Sequence, residues 1–550
     1  MSMFRRSLYF FALFLIFWQC GQQNAGKENR SVFNYNEMNG VTSLDPAAAS
    51  NFENISVVNQ LYEGLLQMDD SLNILPAIAK QYSLSPDGKK YIFHLRQDVY
   101  FHDDVCFPEQ KGRKVKASDF VFSFNRLFDS KVSSATSLVD LIDRDSNTAF
   151  KGFEAPDDST FILYLRQPFS AFLNILTMKY FSVIPHEAIT YYQQNFRSHA
   201  VGTGPFIFKT WQEGSRLILL KNANYYEKDA EGQPLPYLDA MTVSFMRDKE
   251  TAFMELLNGK FDMLSGADAF NTNEVLDKEG RLRDLYVKKF TLQKSKFLKT
   301  DYIGILVDQD LPLVKNSPLR LKAIRQALNY GFDRKKLIRF LRNNVGIAAS
   351  SGFIPPGMKS YDSSAVKGYL YDPARTAQLL AEAGFPGGKG LPELTLHTTE
   401  NYKEQAEFIQ AELARNNIRT QISVEKASVL RQAVNAGEYL LFRKSWVADY
   451  ADEENYMSLF YSKNFSPKGI NFFHYYNPRF DNLYEAALTE TDSDKKKKLY
   501  QEMDRLLIED APVITLFYDE VIRLVSHNIA QFSTNPMNLL KLKHVKKSVN

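Results

Sequence analysis

The sequence predicts an α/β protein built from at least two lobes, and three observations carry that prediction. At 550 residues the chain is well past the roughly 250 to 300 at which a single hydrophobic core stops growing. Its composition, 44% hydrophobic, 24% charged and 13% aromatic, is that of a globular protein. Across residues 394–446, strand-like and helix-like patterns alternate, the signature of a βαβ unit with parallel strands. No self-similarity recurs at periods of about 20 to 50 residues, which argues against a solenoid or propeller.

In chain order, Arg5 and Arg6 lead an uncharged apolar run over residues 8–18. Such a run is long enough for the core of a signal peptide and too short to span a bilayer. Cys20 follows, and residues 21–30 are polar, as a flexible tether would be. This terminus resembles that of a bacterial lipoprotein, with Cys20 as the acylated residue, and it departs from that pattern at Trp18 and Gln19, where small residues are usual. If Cys20 carries lipid, only Cys106 remains and no intramolecular disulfide forms; if it is unmodified, a Cys20–Cys106 pair stays open. No other apolar run approaches the roughly 18 residues of a membrane span.

Early strands are signalled at residues 91–96, after the turn Pro86-Asp87-Gly88, and at 161–165, after Pro156-Asp157-Asp158; both read as antiparallel and partly exposed. A third, at 217–220, follows Gly202-Thr203-Gly204-Pro205, a turn whose glycines suit positive φ. A helix is announced by Pro318 near its start and by Leu321, Ile324 and Leu328 at three- and four-residue spacing. Another has Asp372 as its cap, Pro373 in its first turn and Gly384 as its stop. Strand 394–397, helix 405–415 and strand 421–424 form the βαβ unit, and a further strand covers 439–446. In open α/β sheets, ligands gather outside the carboxyl ends of strands, which directs attention to whatever follows residue 446.

Several chemistries lack their signatures. The 67 basic and 64 acidic residues leave a net charge of +3 with no basic arm, so the footprint of a nucleic-acid binder is missing. No nucleophile elbow, zinc-hydrolase helix or redox cysteine pair occurs, and no cofactor is expected. The glycines of 384–390 follow a helix and lack Ser or Thr after Lys389, so they read as a linker and not a phosphate loop. His102, Asp103 and Asp104 would point to opposite faces of a strand and read as a solvated loop rather than a metal site. Lys495, Lys496, Lys497 and Lys498 read as a solvated helix face.

A series of segments in order carries a resemblance: Leu44-Asp45-Pro46, Leu61-Tyr62-Glu63-Gly64-Leu65, Ser85-Pro86-Asp87-Gly88, then 93–96, 101–103, 116–122, 202–205, 324–334, 371–384, 446–450 and 469–471. Together they resemble the dipeptide and oligopeptide class of ABC-transporter solute-binding proteins over nearly the whole mature chain. The resemblance implies a two-lobed periplasmic-binding-protein fold, class II in type, with an extra α+β domain. Its implied boundaries are a lipoprotein-type signal peptide at 1–20, a tether at 21–30, lobe I from 31–60 with 167–285 and 510–550, the extra domain at 61–166, and lobe II at 286–509. It implies a monomer that binds short peptides between closing lobes and delivers them to an ABC permease and its ATPase, with the membrane reached through the lipid anchor.

Within Trp446-Val447-Ala448-Asp449 the family spacing marks Asp449 as the partner of the ligand's α-ammonium, with Trp446 and Ala448 beside it. A carboxylate enclosed by lobe closure is costly unless a cation accompanies it, and a peptide amine supplies the charge and the donors. Arg443 matches a position where relatives can hold the ligand's carboxylate, a task suited to a guanidinium fork. A regular strand would put Arg443 and Trp446 on opposite faces. Core packing for Trp446 and a cap or turn for Asp449 are the rival readings. Residues 49–52, with Ser50 and Asn51, correspond to a segment that pairs with ligand backbone, giving affinity without reading side chains. Ser445 and an insert at 106–114 depart from the family pattern. A nickel chelate, haem or an oligosaccharide is the alternative ligand within the family, and a sensor or interaction protein the alternative outside transport.

Overall fold

The computed structural model describes residues 30–144, 152–266 and 269–548. The signal-peptide segment, Cys20 and the tether up to residue 29 lie outside the described residues. Two long antiparallel strands, Phe290–Ile305 and Val513–Ser526, organise the rest. Their pairing runs from Phe290 opposite Ser526 to Gly304 opposite Val513, with the register breaking between Lys296 and Thr300. One half of this ribbon joins Met263–Ser265 and, beyond it, Val32–Asn36, Ala240–Ser244, Arg216–Lys221 and Phe206–Gln212. The other half joins Leu441–Val447, then Leu394–Thr399 and Thr420–Glu425. The ribbon therefore belongs to both halves of one mixed sheet, and its register is irregular where it passes from one half to the other.

Alternation along the ribbon builds two cores at once. Leu298 and Tyr302 enter an aromatic cluster with Phe353, Phe460 and Phe473. Ile303 and Ile305 enter an aliphatic cluster with Ile324, Leu328, Leu379 and Leu413. Residues covered on both faces read as a continuous apolar run, as expected of a buried sheet. The expected βαβ unit forms: Leu394–Thr399 and Thr420–Glu425 pair in parallel across the helix Lys403–Arg415. The helix Pro373–Glu382 is capped by the Asp372 carboxylate, which accepts from the Arg375 N–H at 2.9 Å, and the chain leaves it through Gly384 at φ +89°. Pro318 begins a separate 3-10 turn, Pro318–Arg320, and extended Leu321 breaks it from the helix Lys322–Tyr330, whose Ile324, Ala327 and Leu328 are buried.

Between the first strand of the large sheet and its later partners lies a four-stranded antiparallel sheet, ordered Ala79–Leu84, Lys90–Leu95, Thr160–Tyr164, Phe153–Asp157. The helix Ala117–Asn125 covers it, and Phe120 and Phe124, four residues apart, meet Phe161 with ring centroids 5.7 and 5.4 Å away.

Three sequence expectations are corrected here. Gly202 and Gly204 do not take positive φ; they are glycines because the chain passes against residues 60–62. A Cβ would fall 2.0 Å from the Leu61 carbonyl oxygen at Gly202 and 2.6 Å from that of Gln60 at Gly204. His102 is buried and not in a solvated loop: its Nε2 pairs with the Gly204 carbonyl at 2.9 Å, and its Nδ1 accepts the Gly202 N–H at 3.3 Å. Burial pushes its pKa down to about 4. Lys496 leaves the solvated face of its helix to pair with buried Asp452 at 2.7 Å. Among the described residues no group of His, Cys, Asp and Glu can hold a metal ion, and no helix is long and apolar enough to cross a membrane.

Candidate functional site

The strand Leu441–Val447 ends against the long strand Phe290–Ile305, where the Ala448 N–H donates to the Leu298 carbonyl at 2.9 Å. The next residue, Asp449, enters a cavity of about 240 Å³ lined from both sides. Val447, Ala448 and Asp449 form one wall, and Ala49, Ser50, Met178, Lys179 and Tyr180 the other, with Phe297 of the strand Phe290–Ile305 and Met537 and Leu539 closing the ends. The two sides also touch directly beyond the cavity. Ser170 donates from its N–H to the Leu488 carbonyl at 2.7 Å and from its hydroxyl to that of Ala487 at 3.0 Å. The Asn174 amide reaches Asp452 at 3.3 Å.

Asparagine 455 sets the position of Asp449. Its Oδ1 accepts the Asp449 N–H at 3.1 Å and the Trp446 indole N–H at 3.0 Å. Asp449 is open to the cavity, yet the surrounding protein raises its pKa above the ordinary carboxylate value, with the Asn455 side chain offsetting part of the rise. Among the described residues no cation relieves it. Across the cavity, burial and the Asp449 charge push the Tyr180 hydroxyl up to about 12. Asp449 is not a helix cap. The carboxylates after it are consumed internally: Asp452 accepts the Glu454 N–H at 3.0 Å, Glu453 accepts the Ser360 N–H at 2.6 Å, and Glu454 takes the hydroxyls of Tyr450 and Tyr484.

The remaining expected residues divide. Ala448 and Ser50 line the cavity with Asp449. Trp446 does not; it packs against the aromatic core and holds Asn455, so its part is positioning. Asn51 turns away to cap the helix Phe52–Leu61, accepting the Asn54 N–H at 2.8 Å. The N–H groups of Ala49 and Ser50 already donate to Pro46 and Ala48 carbonyls at 3.2 and 2.9 Å, so they are not free for pairing with an added strand.

Arg443 is 5% exposed and absent from the cavity. The strand stays regular through Val447, with Arg443 opposite Ile303 and Trp446 opposite Thr300, so the two residues face opposite ways. The Arg443 guanidinium is ion-paired to fully buried Asp301 and lies over the Tyr402 ring at 4.1 Å. Lys299 joins the same network, 3.3 Å from Asp301 and 2.8 Å from Asp519. Burial opposes the Lys299 charge, but the two carboxylates outweigh it and raise its pKa. Arg443 thus braces the long ribbon.

Comparison with known proteins decides the family. Residues 73–468 match the family described as Bacterial extracellular solute-binding proteins, family 5 Middle. The chain belongs to the family 5 extracellular solute-binding proteins. Members of family 5 are substrate-binding receptors of ABC importers, not enzymes, and they work in the periplasm. This family 5 chain is 27% identical over 501 residues to the glutathione-binding protein GsiB of Salmonella typhi, covering 90% of each chain. It superposes on HbpA2 from Haemophilus parasuis with a TM-score of 0.80 at 22% identity, covering 94% of this chain and 100% of that one. Against DppA from Helicobacter pylori in complex with the peptide STSA, the TM-score is 0.71 at 25% identity, covering 95% and 99%. These neighbours bear out the two-lobed binding-protein fold.

Proposed function

We propose that this family 5 protein captures short peptides with a free α-ammonium group between its two lobes and delivers them, unchanged, to the permease and ATPase of an ABC importer. The observation that carries the reading is Asp449: a carboxylate standing in a cavity lined from both sides, raised in pKa, held by Asn455 and relieved by no cation among the described residues. An incoming ammonium group supplies the missing charge and donors, and such a charge-assisted bond is roughly twice as strong as a neutral one. At about 240 Å³, the cavity is smaller than the roughly 300 to 1,000 Å³ of typical ligand pockets, which favours a ligand of few residues. The glutathione-binding and peptide-bound relatives support this class of ligand. An oligosaccharide would leave the Asp449 charge without a counter-ion.

Lobe I from 31–60, 167–285 and 510–550, an extra domain at 61–166 and lobe II at 286–509 are part of the same proposal, with closure about the irregular stretch at Lys296–Thr300. So are the acylation of Cys20, the resulting membrane tether and the monomeric state. Calorimetry with trialanine, N-acetylated trialanine and glutathione tests the ligand reading. Trialanine is expected to bind and its acetylated form to lose most of that affinity; equal affinity for both would refute the role of Asp449.

A further inference from the structure

If Arg443 is locked inside the hinge, something else must meet the opposite end of the ligand. Lys179 sits in the 3-10 turn Lys179–Phe181, on the wall facing Asp449. It lines the Asp449 cavity and also a smaller one, of about 60 Å³, that opens beside it. The other two lysines of that side cavity are already engaged. Lys541 pairs with Asp70 at 3.0 Å and donates to the Met68 carbonyl at 2.6 Å; Lys543 pairs with Glu227 at 2.5 Å and Gln67 at 3.0 Å. Among the described residues Lys179 has no carboxylate within the 4.0 Å of an ion pair. Glu63 is its nearest acidic influence, and Glu63 spends one oxygen on the hydroxyls of Tyr225 and Tyr226 at 2.6 and 3.2 Å.

The electrostatics agree with this geometry. Burial is the main force lowering the Lys179 pKa, to about 8; Glu63 opposes the fall, while Lys541 and Lys543 add to it. Asp449, on the facing wall, is displaced in the sense that also disfavours its charge. Neither group relieves the other: Lys179 is offset only in part, by Glu63, whose second oxygen is buried without a hydrogen-bond partner, and Asp449 is offset by no cation among the described residues. A zwitterion lying between them would answer both.

Resting on the peptide reading above, we propose that Lys179, and not Arg443, holds the ligand's carboxylate, so that the site selects peptides whose C-terminus is free. The side cavity beside it gives the last residue's side chain or a bridging water somewhere to go. In this arrangement each lobe contributes one charge, and only the closed form engages both ends.

A mixture of tripeptides, each present as free acid and as C-terminal amide in equal amounts, tests the proposal. Purified protein is incubated with the mixture, desalted, and the retained peptides are quantified by mass spectrometry as an acid-to-amide ratio. The ratio is read within one sample, so a partly unfolded preparation does not change it. Wild-type protein is expected to enrich the acids by roughly tenfold or more, the size of one hydrogen-bonded charge. Lys179→Met is expected to bring the ratio near one, and Lys179→Arg to keep it above one. Glu63→Gln, which removes the competing anion, is expected to leave the ratio equal or higher. Peptide capture with no preference for acids, an unchanged ratio in Lys179→Met, or a fall in Glu63→Gln would overturn the role of Lys179 while leaving the peptide reading standing. Failure of the wild-type protein to retain any peptide would overturn both.

Discussion

Replacing Asp449 by Asn separates binding from folding, because the structure assigns the two effects opposite signs. Within the protein itself the cavity-facing carboxylate is already disfavoured in its charged form, so removing the charge is expected to leave the melting temperature unchanged or slightly higher. In the complex the same change strands a ligand ammonium in an enclosed cavity. Truncating one member of a buried, hydrogen-bonded charge pair costs roughly 2 to 5 kcal/mol. The lower half of that range applies here, since Asp449 is open to the cavity and its Asn455 contact survives. A loss of about 2 to 3 kcal/mol is a fall in affinity of about 30- to 150-fold. Calorimetry with trialanine reads the affinity, and a thermal melt of the empty protein reads the stability. Unchanged affinity would refute the assignment; so would a lowered melting temperature with affinity falling only as the protein unfolds, which would make Asp449 a structural residue.

Three further outcomes follow from the packing. Arg443→Met leaves Asp301 buried without its guanidinium and is expected to destabilise the protein by about 3 kcal/mol, measured by denaturant titration, while peptide affinity of the folded fraction stays within about threefold; a large loss of affinity at full stability would return Arg443 to the ligand. His102 is neutral in the fold, with its pKa lowered from 6.5 to about 4, so between those values the unfolded chain binds the extra proton and stability falls as pH drops. The full effect is about 3 kcal/mol, and a His102→Gln variant measured against wild type across this window should lack that component; parallel pH curves would contradict it. Gly202→Ala drives a methyl into the Leu61 carbonyl and is expected to cost about 3 kcal/mol or to abolish folding, checked by circular dichroism; a normal melt would show that residues 60–62 can give way.

What the sequence made legible was mostly local or patterned. The Asp372 cap, the Gly384 stop and the strand–helix–strand of the βαβ unit depend on neighbours within one element, and they fall where the spacing puts them. The placing of Asp449 on the cavity wall was legible through the family spacing after Trp446. The residues that were misread have partners far away in the chain. Arg443 looked available because Asp301, 142 residues earlier, is what occupies it. His102 looked solvated because its cover comes from Gly202 and Gly204. Asn455 could have been suspected, since a polar side chain six residues after Asp449 is well placed to hold a loop. Lys179 carried no signal: one lysine in a turn becomes notable only when the fold sets it across a cavity from Asp449 and fills its neighbours with other acids.

Native mass spectrometry of the mature protein purified from a bacterial periplasm, followed by denaturation to release whatever it carries, tests the central claim most directly. A ladder of short-peptide masses, rich in free C-termini and lost from Asp449→Asn, is the expected result. A single metal-chelate, haem or sugar mass retained equally by wild type and Asp449→Asn would contradict it.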